Sequence, residues 1–201
     1  MIEESFKIAL VGENDVGKTN IISAFVYPFQ ESKSGGSFSI KYVVYDGGKI
    51  LKLEIWDTAG QKRYRALTKM FYKDANAIIL VYDITRKKSF EEIQTYWFGL
   101  IKQDCKKDII LAIAANNSDL NEKEEVDEEE ARNFADKIGA IFASISTKNL
   151  DSINDLFINI VKKYTGSENI RIKDEYNDCQ YQRQREKKTF HLGFLMKYQK
   201  L

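Results

Sequence analysis

Short apolar runs, separated by polar and glycine-bearing segments, recur along most of the chain, and each run has the length of a strand. Two of them flank Asp46-Gly47-Gly48, a sequence typical of the turn in a β-hairpin. Continuous apolar runs such as 77–82 are typical of strands that are buried on both faces. The predicted strands cover residues 6–11, 38–45, 50–56, 77–82, 109–114 and 141–145.

Helical periodicity follows the first strand, over about 18–25, and recurs after the fourth, fifth and sixth predicted strands. Ser89 and Glu92 have the spacing of a capping box and predict a helix as far as about Gln103, and Asp127 opens another that ends near Ile138. Strands that alternate with helices predict an α/β fold, in which a mostly parallel sheet has helices on both faces. The last predicted helix has one apolar face, made by Ile153, Leu156, Phe157, Ile160, Val161 and Tyr164.

Residues 165–201 differ from this patterned part. They begin polar, carry 8 Lys or Arg against 5 Asp or Glu, and become apolar again from Phe190. We therefore predict a folded domain over 1–164 and a C-terminal extension over 165–201 that lies outside the sheet. Two alternatives stay open for the extension. It is either a terminus that is disordered or folds back on the domain, or a docking segment for another protein.

The composition excludes several classes of protein. The chain has 201 residues, of which 43% are hydrophobic and 30% charged, so it is neither collagen-like nor disordered throughout. A net charge of +1 gives no reason to expect nucleic-acid binding. Cys105 and Cys179 lack metal-ligand spacing and favour a reducing, cytoplasmic compartment. No apolar run reaches the roughly 18 residues that would predict a membrane span.

The strongest chemical signal lies between the first strand and the first helix. Gly12-Glu13-Asn14-Asp15-Val16-Gly17-Lys18-Thr19 matches the phosphate-binding pattern G-x-x-x-x-G-K-[ST] in the context that the pattern requires. Glycines let backbone N–H groups converge on phosphate oxygens, and the helix N-terminus adds positive potential. Lys18 is placed to reach the β- and γ-phosphates, and the Thr19 hydroxyl to ligate Mg²⁺. The pattern predicts a nucleotide without identifying the base.

A second signal, Asp57-Thr58-Ala59-Gly60-Gln61, follows the third predicted strand. A carboxylate at the end of a strand can hold Mg²⁺ through water, which suits Asp57. The Gly60 amide is free to approach a γ-phosphate, and Gln61 is the candidate to orient an attacking water.

These motifs resemble those of the Ras superfamily of small GTPases, and of its Rab branch most closely. The resemblance covers about residues 6–164. It implies a P-loop small-GTPase fold with a six-stranded, mostly parallel sheet flanked by helices. It further implies GTP or GDP with Mg²⁺, and switch segments that contact protein partners. Besides the two motifs, it rests on residues 63–65, 71–72, 79–85, 89–90, 116, 119–120 and 146–148.

The base-binding loops follow the family except at one position. In the family an Asn-Lys-x-Asp motif reads guanine, and here Asn117 stands where the lysine is usual, while Asp119 keeps the acceptor for the base. The lost lysine stem predicts affinity that is weaker by about 1–3 kcal/mol. The residues assigned to the nucleotide are Gly12, Asn14, Asp15, Val16, Gly17, Lys18, Thr19, Gly60, Asn116, Asn117, Asp119, Ser146, Thr147 and Lys148, with Thr19 and Asp57 as metal ligands and Gln61 as the catalytic residue.

Switch I is the main departure from the family, which places there a threonine that ligates Mg²⁺ and meets the γ-phosphate. The segment between Phe25 and Phe38 has no such threonine and is shorter than is usual in Rab proteins. One alternative is that a serine of this segment replaces the hydroxyl in a shifted register. The other, which we favour, is that no residue ligates and Lys33 is a fixed charge near the phosphates. A shorter loop reaches less far, because an extended residue spans at most about 3.5 Å.

Two more departures concern partners and membranes. Lys62 reverses the charge of the glutamate that usually follows the switch II glutamine. The last residues contain no cysteine for prenylation, so we expect no lipid anchor.

Two function hypotheses follow. The first is a Rab-like switch that binds GTP and GDP and hydrolyses GTP slowly or not at all. The second is a structural or adaptor component of a large assembly, ciliary or cytoskeletal, built on a GTPase fold.

Overall fold

The computed structural model of the chain describes residues 4–28, 38–58 and 65–173, without the side chains of 65–68. The predictions for switch I, Gly60, Gln61, Lys62 and most of the extension lie outside these residues. The chain divides into a compact unit of Met1–Arg171 and a second unit of Ile172–Leu201, and only the first two residues of the second unit are described.

The described residues form one sheet of seven strands, of which six were expected. The seventh, Ile170–Lys173, falls in the range predicted as the extension. The strands are β1 (Glu4–Val11), β2 (Phe38–Tyr45), β3 (Lys49–Asp57), β4 (Ala77–Asp83), β5 (Ile110–Asn116), β6 (Ile141–Ser144) and β7 (Ile170–Lys173). Their order is β6-β5-β4-β1-β3-β2-β7, in which β2 and β3 form the predicted antiparallel hairpin and β3, β1, β4, β5 and β6 pair in parallel.

The four predicted helical segments are helical, and the helix over Arg65–Tyr72 was not predicted from periodicity. Asp127 caps its helix as expected, since its carboxylate accepts from the Glu129 N–H at 2.7 Å. The capping box at Ser89 is wrong, because the helix begins at Lys87 and the buried Ser89 hydroxyl donates to the Arg86 carbonyl. The helices are α1 (Lys18–Val26), α2 (Arg65–Tyr72), α3 (Lys87–Glu92), α4 (Phe98–Asp104), α5 (Glu128–Ile138) and α6 (Leu150–Thr165), with a π-helical turn (Ile93–Trp97) that joins α3 to α4 and a 3-10 helix (Ser118–Lys123) before α5.

The core lies on both sides of the central strands. Every residue of β4 and of β5 is buried, as the continuous apolar runs predicted. On one side, Trp97 and Phe90 pack in a cluster with β1 and β4. On the other, Phe25 of α1 stacks on Phe157 of α6 with 3.8 Å between ring centroids. Two covered faces explain why these strands show no alternation of apolar and polar residues.

The last helix is tied to the first strand. The rings of Phe6 and Tyr164 lie 4.4 Å apart, and the Tyr164 hydroxyl donates to the Glu4 carboxylate. This hydrogen bond raises the pKa of Tyr164 to about 12. Tyr164, predicted to belong to the apolar face of α6, is therefore a partly exposed residue that bonds through its hydroxyl.

A polar bridge joins α2 to α4. Both carboxylate oxygens of Asp104 are used, one by the Lys69 ammonium at 2.5 Å and the other by the Tyr72 hydroxyl at 3.0 Å. The neighbouring Cys105 thiol donates to the Tyr72 carbonyl, and burial raises its pKa to about 11. Such a thiol carries little thiolate at neutral pH and is therefore a poor nucleophile.

Among the described residues, no helix combines the length and the apolar character that crossing a membrane requires.

Candidate functional site

The carboxyl ends of four parallel strands meet at one edge of the sheet and bring the predicted motifs together. The phosphate loop follows β1, and Asp57 ends β3. Asp83 at the end of β4 pairs in register with Asn116 at the end of β5. Ligands of open α/β sheets bind at this kind of edge, because the loops that leave the strands form a crevice there.

The phosphate loop holds a conformation that only glycine permits at two positions. Gly12 has a φ of 152°, and a Cβ there would lie 2.2 Å from the Val81 carbonyl oxygen. Gly17 has a φ of 92°, and its Cβ would lie 2.2 Å from the Asn116 side-chain nitrogen. The loop is therefore pressed against β4 at its start and against β5 at its end, which fixes the direction of the amides between them.

Lys18 lies inside this loop. It is 6% exposed, and its ammonium donates to the Gly12 carbonyl at 3.1 Å and to the Glu13 carbonyl at 2.7 Å. Burial lowers the pKa of Lys18 to about 8, although Asp57 and Asp15 favour its charged form. A buried ammonium with a lowered pKa gains from an anionic ligand, because the anion compensates for the lost hydration.

The two predicted metal ligands are adjacent. The Thr19 hydroxyl, in the first turn of α1, donates to the Asp57 carboxylate at 2.5 Å. The next residue, Thr58, is anchored through its hydroxyl to the Leu10 carbonyl at 2.5 Å, which fixes the end of β3 against β1. The described residues contain no cluster of three or more His, Cys, Asp or Glu that could hold a metal by itself. A hydroxyl and one carboxylate fit Mg²⁺, which binds few protein oxygens and keeps waters or phosphate oxygens as its other ligands.

The base side is built by two loops that meet at Asp119. Its carboxylate accepts from the Ser146 hydroxyl at 2.6 Å and from the Lys148 ammonium at 2.6 Å. The Lys148 and Ser146 hydrogen bonds hold the pKa of Asp119 below its usual range, so the carboxylate is an acceptor at neutral pH. Asn116, which is 2% exposed, donates to the Val16 carbonyl at 2.9 Å and thereby joins this side to the phosphate loop.

One polar atom of this junction lacks a partner. The side-chain oxygen of Asn116 is buried and accepts no hydrogen bond from the described residues. Buried polar atoms are nearly always paired with protein, water or a ligand. The orphaned oxygen and the cradle that the two glycines keep open therefore fit a bound nucleotide.

Comparison with known proteins gives the family. The sequence model of the Ras family matches residues 7–166. This chain belongs to the Ras family. It is 40% identical over 167 residues to Ras-related protein Rab-22A of Mus musculus, an alignment that covers 81% of this chain and 85% of that protein. The same figures hold for Rab-22A of Homo sapiens. The resemblance to a Ras-superfamily GTPase close to the Rab branch, and the α/β fold with a mostly parallel sheet, are thereby confirmed. Ras-family GTPases bind guanine nucleotide, typically with Mg²⁺.

The remaining predicted site residues differ in how far they are buried. Val16 is buried, whereas Asn14, Asp15 and Thr147 are exposed. Asp15 accepts from the Asn14 side chain at 2.5 Å, and because Asp15 is exposed, its charge opposes a ligand less than a buried charge would. The role of each of these residues in binding stays a prediction.

Asn117, which replaces the lysine of the family motif, has a left-handed backbone with a φ of 66°. Asparagine tolerates this conformation better than most residues. The next residue, Ser118, donates its N–H to the Ile145 carbonyl at 3.1 Å, so the loop keeps its connection to the end of β6. The loop that contains Asn117 is therefore held to the end of β6 through its backbone.

Sequence reasoning missed Arg86. Its guanidinium donates to the Asn14 carbonyl at 2.9 Å and lies 3.6 Å from the Glu13 carboxylate. No motif contains this arginine, which is 72 residues from Asn14 along the chain. Its proximity follows only from the pairing of β4 beside β1.

Proposed function

We propose that this chain is a Rab-like switch protein that holds GTP or GDP with Mg²⁺ at the carboxyl edge of its sheet. The observation that carries the proposal is the contact between Thr19 and Asp57 beside the buried ammonium of Lys18. A hydroxyl, a carboxylate and a desolvated cation at a glycine-bearing loop match the needs of a metal-bound polyphosphate. Family membership supports the same conclusion at the level of guanine-nucleotide binding.

The residues of the chain divide the work of binding. Lys18 contacts the phosphates as a point charge, and the loop amides hold their oxygens. Thr19 contributes a direct oxygen to the metal, and Asp57 holds it through water. Asp119 accepts from the N–H groups on one edge of guanine, because both its oxygens are acceptors when it is ionised. Ser146 and Lys148 fix the direction of that carboxylate.

GTP hydrolysis and switch I are assigned from the sequence. Gln61 is the residue we assign to orienting the attacking water, and it gives slow turnover of GTP. We further propose that switch I supplies no hydroxyl to the metal, so that Lys33 acts there as a fixed charge. The support for both points is the sequence, which lacks the usual threonine and keeps the glutamine.

Protein partners would contact an apolar surface between the hairpin and α2. Phe38 is 38% exposed and Met70 is 72% exposed. Trp56 of the hairpin connects Phe38 to α2, with its ring 4.8 Å from that of Phe38 and 5.4 Å from that of Phe71. Exposed apolar groups supported by packed aromatic rings are typical of protein–protein contact sites. We propose this surface, together with the extension, as the partner-binding region of a cytoplasmic protein.

A structural role in a ciliary or cytoskeletal assembly is the alternative. It is favoured by the replacement at Asn117, because weaker base binding suits a pocket that is not cycled between two states. Both functions include a nucleotide, so they differ in turnover rather than in occupancy.

The test is nucleotide analysis followed by single-turnover hydrolysis on the full chain. Guanine nucleotide should be released on denaturation of the purified protein, and Gln61→Leu should lower the hydrolysis rate. Asn121→Leu, an exposed position outside the site, is the control and should hydrolyse like the wild type. Equal and negligible rates in wild type and Gln61→Leu would refute the switch and leave the adaptor function. Absence of any bound or bindable guanine nucleotide would refute both.

A further inference from the structure

The phosphate loop of this chain is acidic for a site that binds phosphate. It contains Glu13 and Asp15 within its eight residues. Like charges repel over the distances across such a loop, and partial burial strengthens the repulsion. Glu13 is the more buried of the two, with 18% of its side chain exposed. A polyphosphate that binds here therefore needs a counter-charge close to Glu13.

Arg86 is that counter-charge. Its guanidinium lies 3.6 Å from the Glu13 carboxylate, and 38% of its side chain is exposed. Both groups reach water in part, so the pair is weakened by salt but not abolished. The same guanidinium donates to the Asn14 carbonyl at 2.9 Å, a charge-assisted hydrogen bond to the backbone of the loop itself.

The bond to Asn14 continues a pattern along the loop. The carbonyls of Gly12 and Glu13 accept from Lys18, and the next carbonyl, that of Asn14, accepts from Arg86. Three successive carbonyl oxygens are thus held by cations. Carbonyl oxygens that faced the ligand would repel its phosphates. The two cations hold these three oxygens and so reduce that repulsion.

The peptide unit between Asn14 and Asp15 shows the consequence for an amide. The described chain has no cis peptide bonds, so the Asp15 N–H points opposite to the Asn14 carbonyl. Arg86 holds that carbonyl, and it therefore fixes the direction of the Asp15 N–H as well. Backbone N–H groups of this loop are the groups that bind phosphate oxygens in its motif.

Arg86 is itself held by a well-bonded turn. Its N–H donates to the Asp83 carbonyl at 3.0 Å, and its carbonyl accepts from the Ser89 hydroxyl at 2.7 Å. The next N–H, that of Lys87, donates to the Glu125 carboxylate at 3.0 Å. A side chain that starts from a fixed backbone loses less entropy when it holds a partner, which is how a supporting residue keeps a site preorganised.

We propose that Arg86 is a positioning residue of the phosphate loop, which aims the Asp15 amide and neutralises Glu13 so that the loop accepts a polyphosphate. The inference rests on the proposed binding of guanine nucleotide. Arg86 acts through the loop rather than by touching the ligand. Its effect should grow with the charge of the ligand, because repulsion from an unpaired Glu13 is proportional to that charge.

The experiment measures the affinities of GMP, GDP and GTP, each with Mg²⁺, for the full chain and its variants. Arg86→Ala should weaken GDP and GTP about tenfold, the size expected for one hydrogen bond to a charged group, and GMP clearly less. Arg86→Lys, which keeps the charge, should recover part of the loss. Lys88→Ala removes an exposed cation two residues away and should leave all three affinities at the wild-type level.

A double variant separates the counter-charge from simple support of the fold. Glu13→Gln in the Arg86→Ala background should restore part of the GDP affinity, since no uncompensated carboxylate remains. Equal weakening of GMP, GDP and GTP by Arg86→Ala would overturn the proposal, and so would affinities unchanged from wild type. If the wild type binds none of the three, the proposed function fails together with this inference. If Arg86→Ala does not fold, the GMP, GDP and GTP affinities of Arg86→Lys and of the single variant Glu13→Gln are measured instead. A loss in Arg86→Lys that is equal for the three nucleotides would again overturn the proposal, and so would affinities unchanged from wild type in both variants.

Discussion

On the phosphate side of the site the binding groups are backbone amides and a lysine that is 6% exposed, whereas on the base side the chemistry is carried by side chains that reach water. The Lys148 side chain is 77% exposed and that of Asp119 is 27% exposed. The phosphate side is thus part of the packed domain, because its loop is pressed between β4 and β5. Substitutions on the phosphate side should change the stability of the fold and the affinity for every nucleotide. Substitutions on the base side should change the preference for guanine over other bases.

The largest effect is expected on the phosphate side, for Gly12→Ala. The new methyl group would lie 2.2 Å from the Val81 carbonyl oxygen, so the loop or β4 must move. We expect the free energy of unfolding to fall by about 3 kcal/mol or more, with loss of nucleotide binding. Chemical denaturation measures this. The control is Gly47→Ala, which has a φ of 74° and open space, and should lose only about 1 kcal/mol. Equal losses in the two variants would contradict the close packing of the loop.

Lys18→Met comes next and separates binding from folding within the phosphate side. Removal of the buried ammonium should weaken GTP about 100-fold, because a charge-assisted contact to phosphate is lost. The nucleotide-free variant should be at least as stable as the wild type at neutral pH, since a cation whose pKa is lowered by burial destabilises the fold. A variant that is clearly less stable than the wild type would show that the hydrogen bonds of Lys18 stabilise the fold by more than the burial of its charge destabilises it.

The stability difference between these two proteins should also depend on pH. The pKa of Lys18 is about 8 in the folded protein, against 10.5 for a free lysine. Between these values the unfolded chain binds more protons at this position, so the contribution of Lys18 to stability rises with pH. The advantage of Lys18→Met should therefore shrink from pH 8 to 10.5 in nucleotide-free protein. A constant difference over this range would contradict the lowered pKa.

Asp119→Ala tests the base side and should leave the phosphate side intact. The preference for GTP over ATP should fall about 100-fold, because the acceptor for the guanine N–H groups is lost while the phosphate contacts remain. Competition between the two nucleotides measures the preference, with exposed Asp108→Ala as the matched control. Unchanged selectivity in Asp119→Ala would refute the assignment of Asp119 to the base.

The smallest effect is expected for Lys148→Ala, also on the base side. This ammonium is largely in water, so its pair with Asp119 is screened and guanine-nucleotide affinity should change less than about fivefold. The informative quantity is the pKa of Asp119, which Lys148 holds low and which should rise in the variant. An NMR titration of the carboxyl carbon measures it. A pKa that stays at its wild-type value would assign the lowering to the Ser146 hydrogen bond instead.

The two sides also differ in how far the sequence predicted them. The phosphate loop, Thr19 and Asp57 were predicted as a set, because glycine spacing and strand ends are local signals that survive in one sequence. The base side depended on resemblance, since Asn116 and Asp119 alone are ordinary loop residues. Their contact with Ser146 and Lys148 joins two loops, and nothing local indicates it.

What the sequence did not predict depends on packing between distant segments. Arg86 reaches the phosphate loop only because β4 lies beside β1. Ser89 looked like a helix cap, yet the helix begins two residues earlier and its hydroxyl serves the turn after β4. The strand Ile170–Lys173 is four residues long, and so short a segment carries too little periodicity to be recognised.

The joining of β1 to α6 sets the order in which this protein can mature on the ribosome. β1 lies in the middle of the sheet, yet Tyr164, whose ring packs on Phe6 of β1, is made about 160 residues later. Phe157, which stacks on Phe25 of α1, is made about 130 residues later than that partner. The domain cannot close its core until α6 has left the exit tunnel. At synthesis rates of about 5–20 residues per second, the early strands wait for roughly 7 to 30 seconds with apolar surface exposed. Nascent chains that stop before residue 157 are therefore the species we expect chaperones to hold.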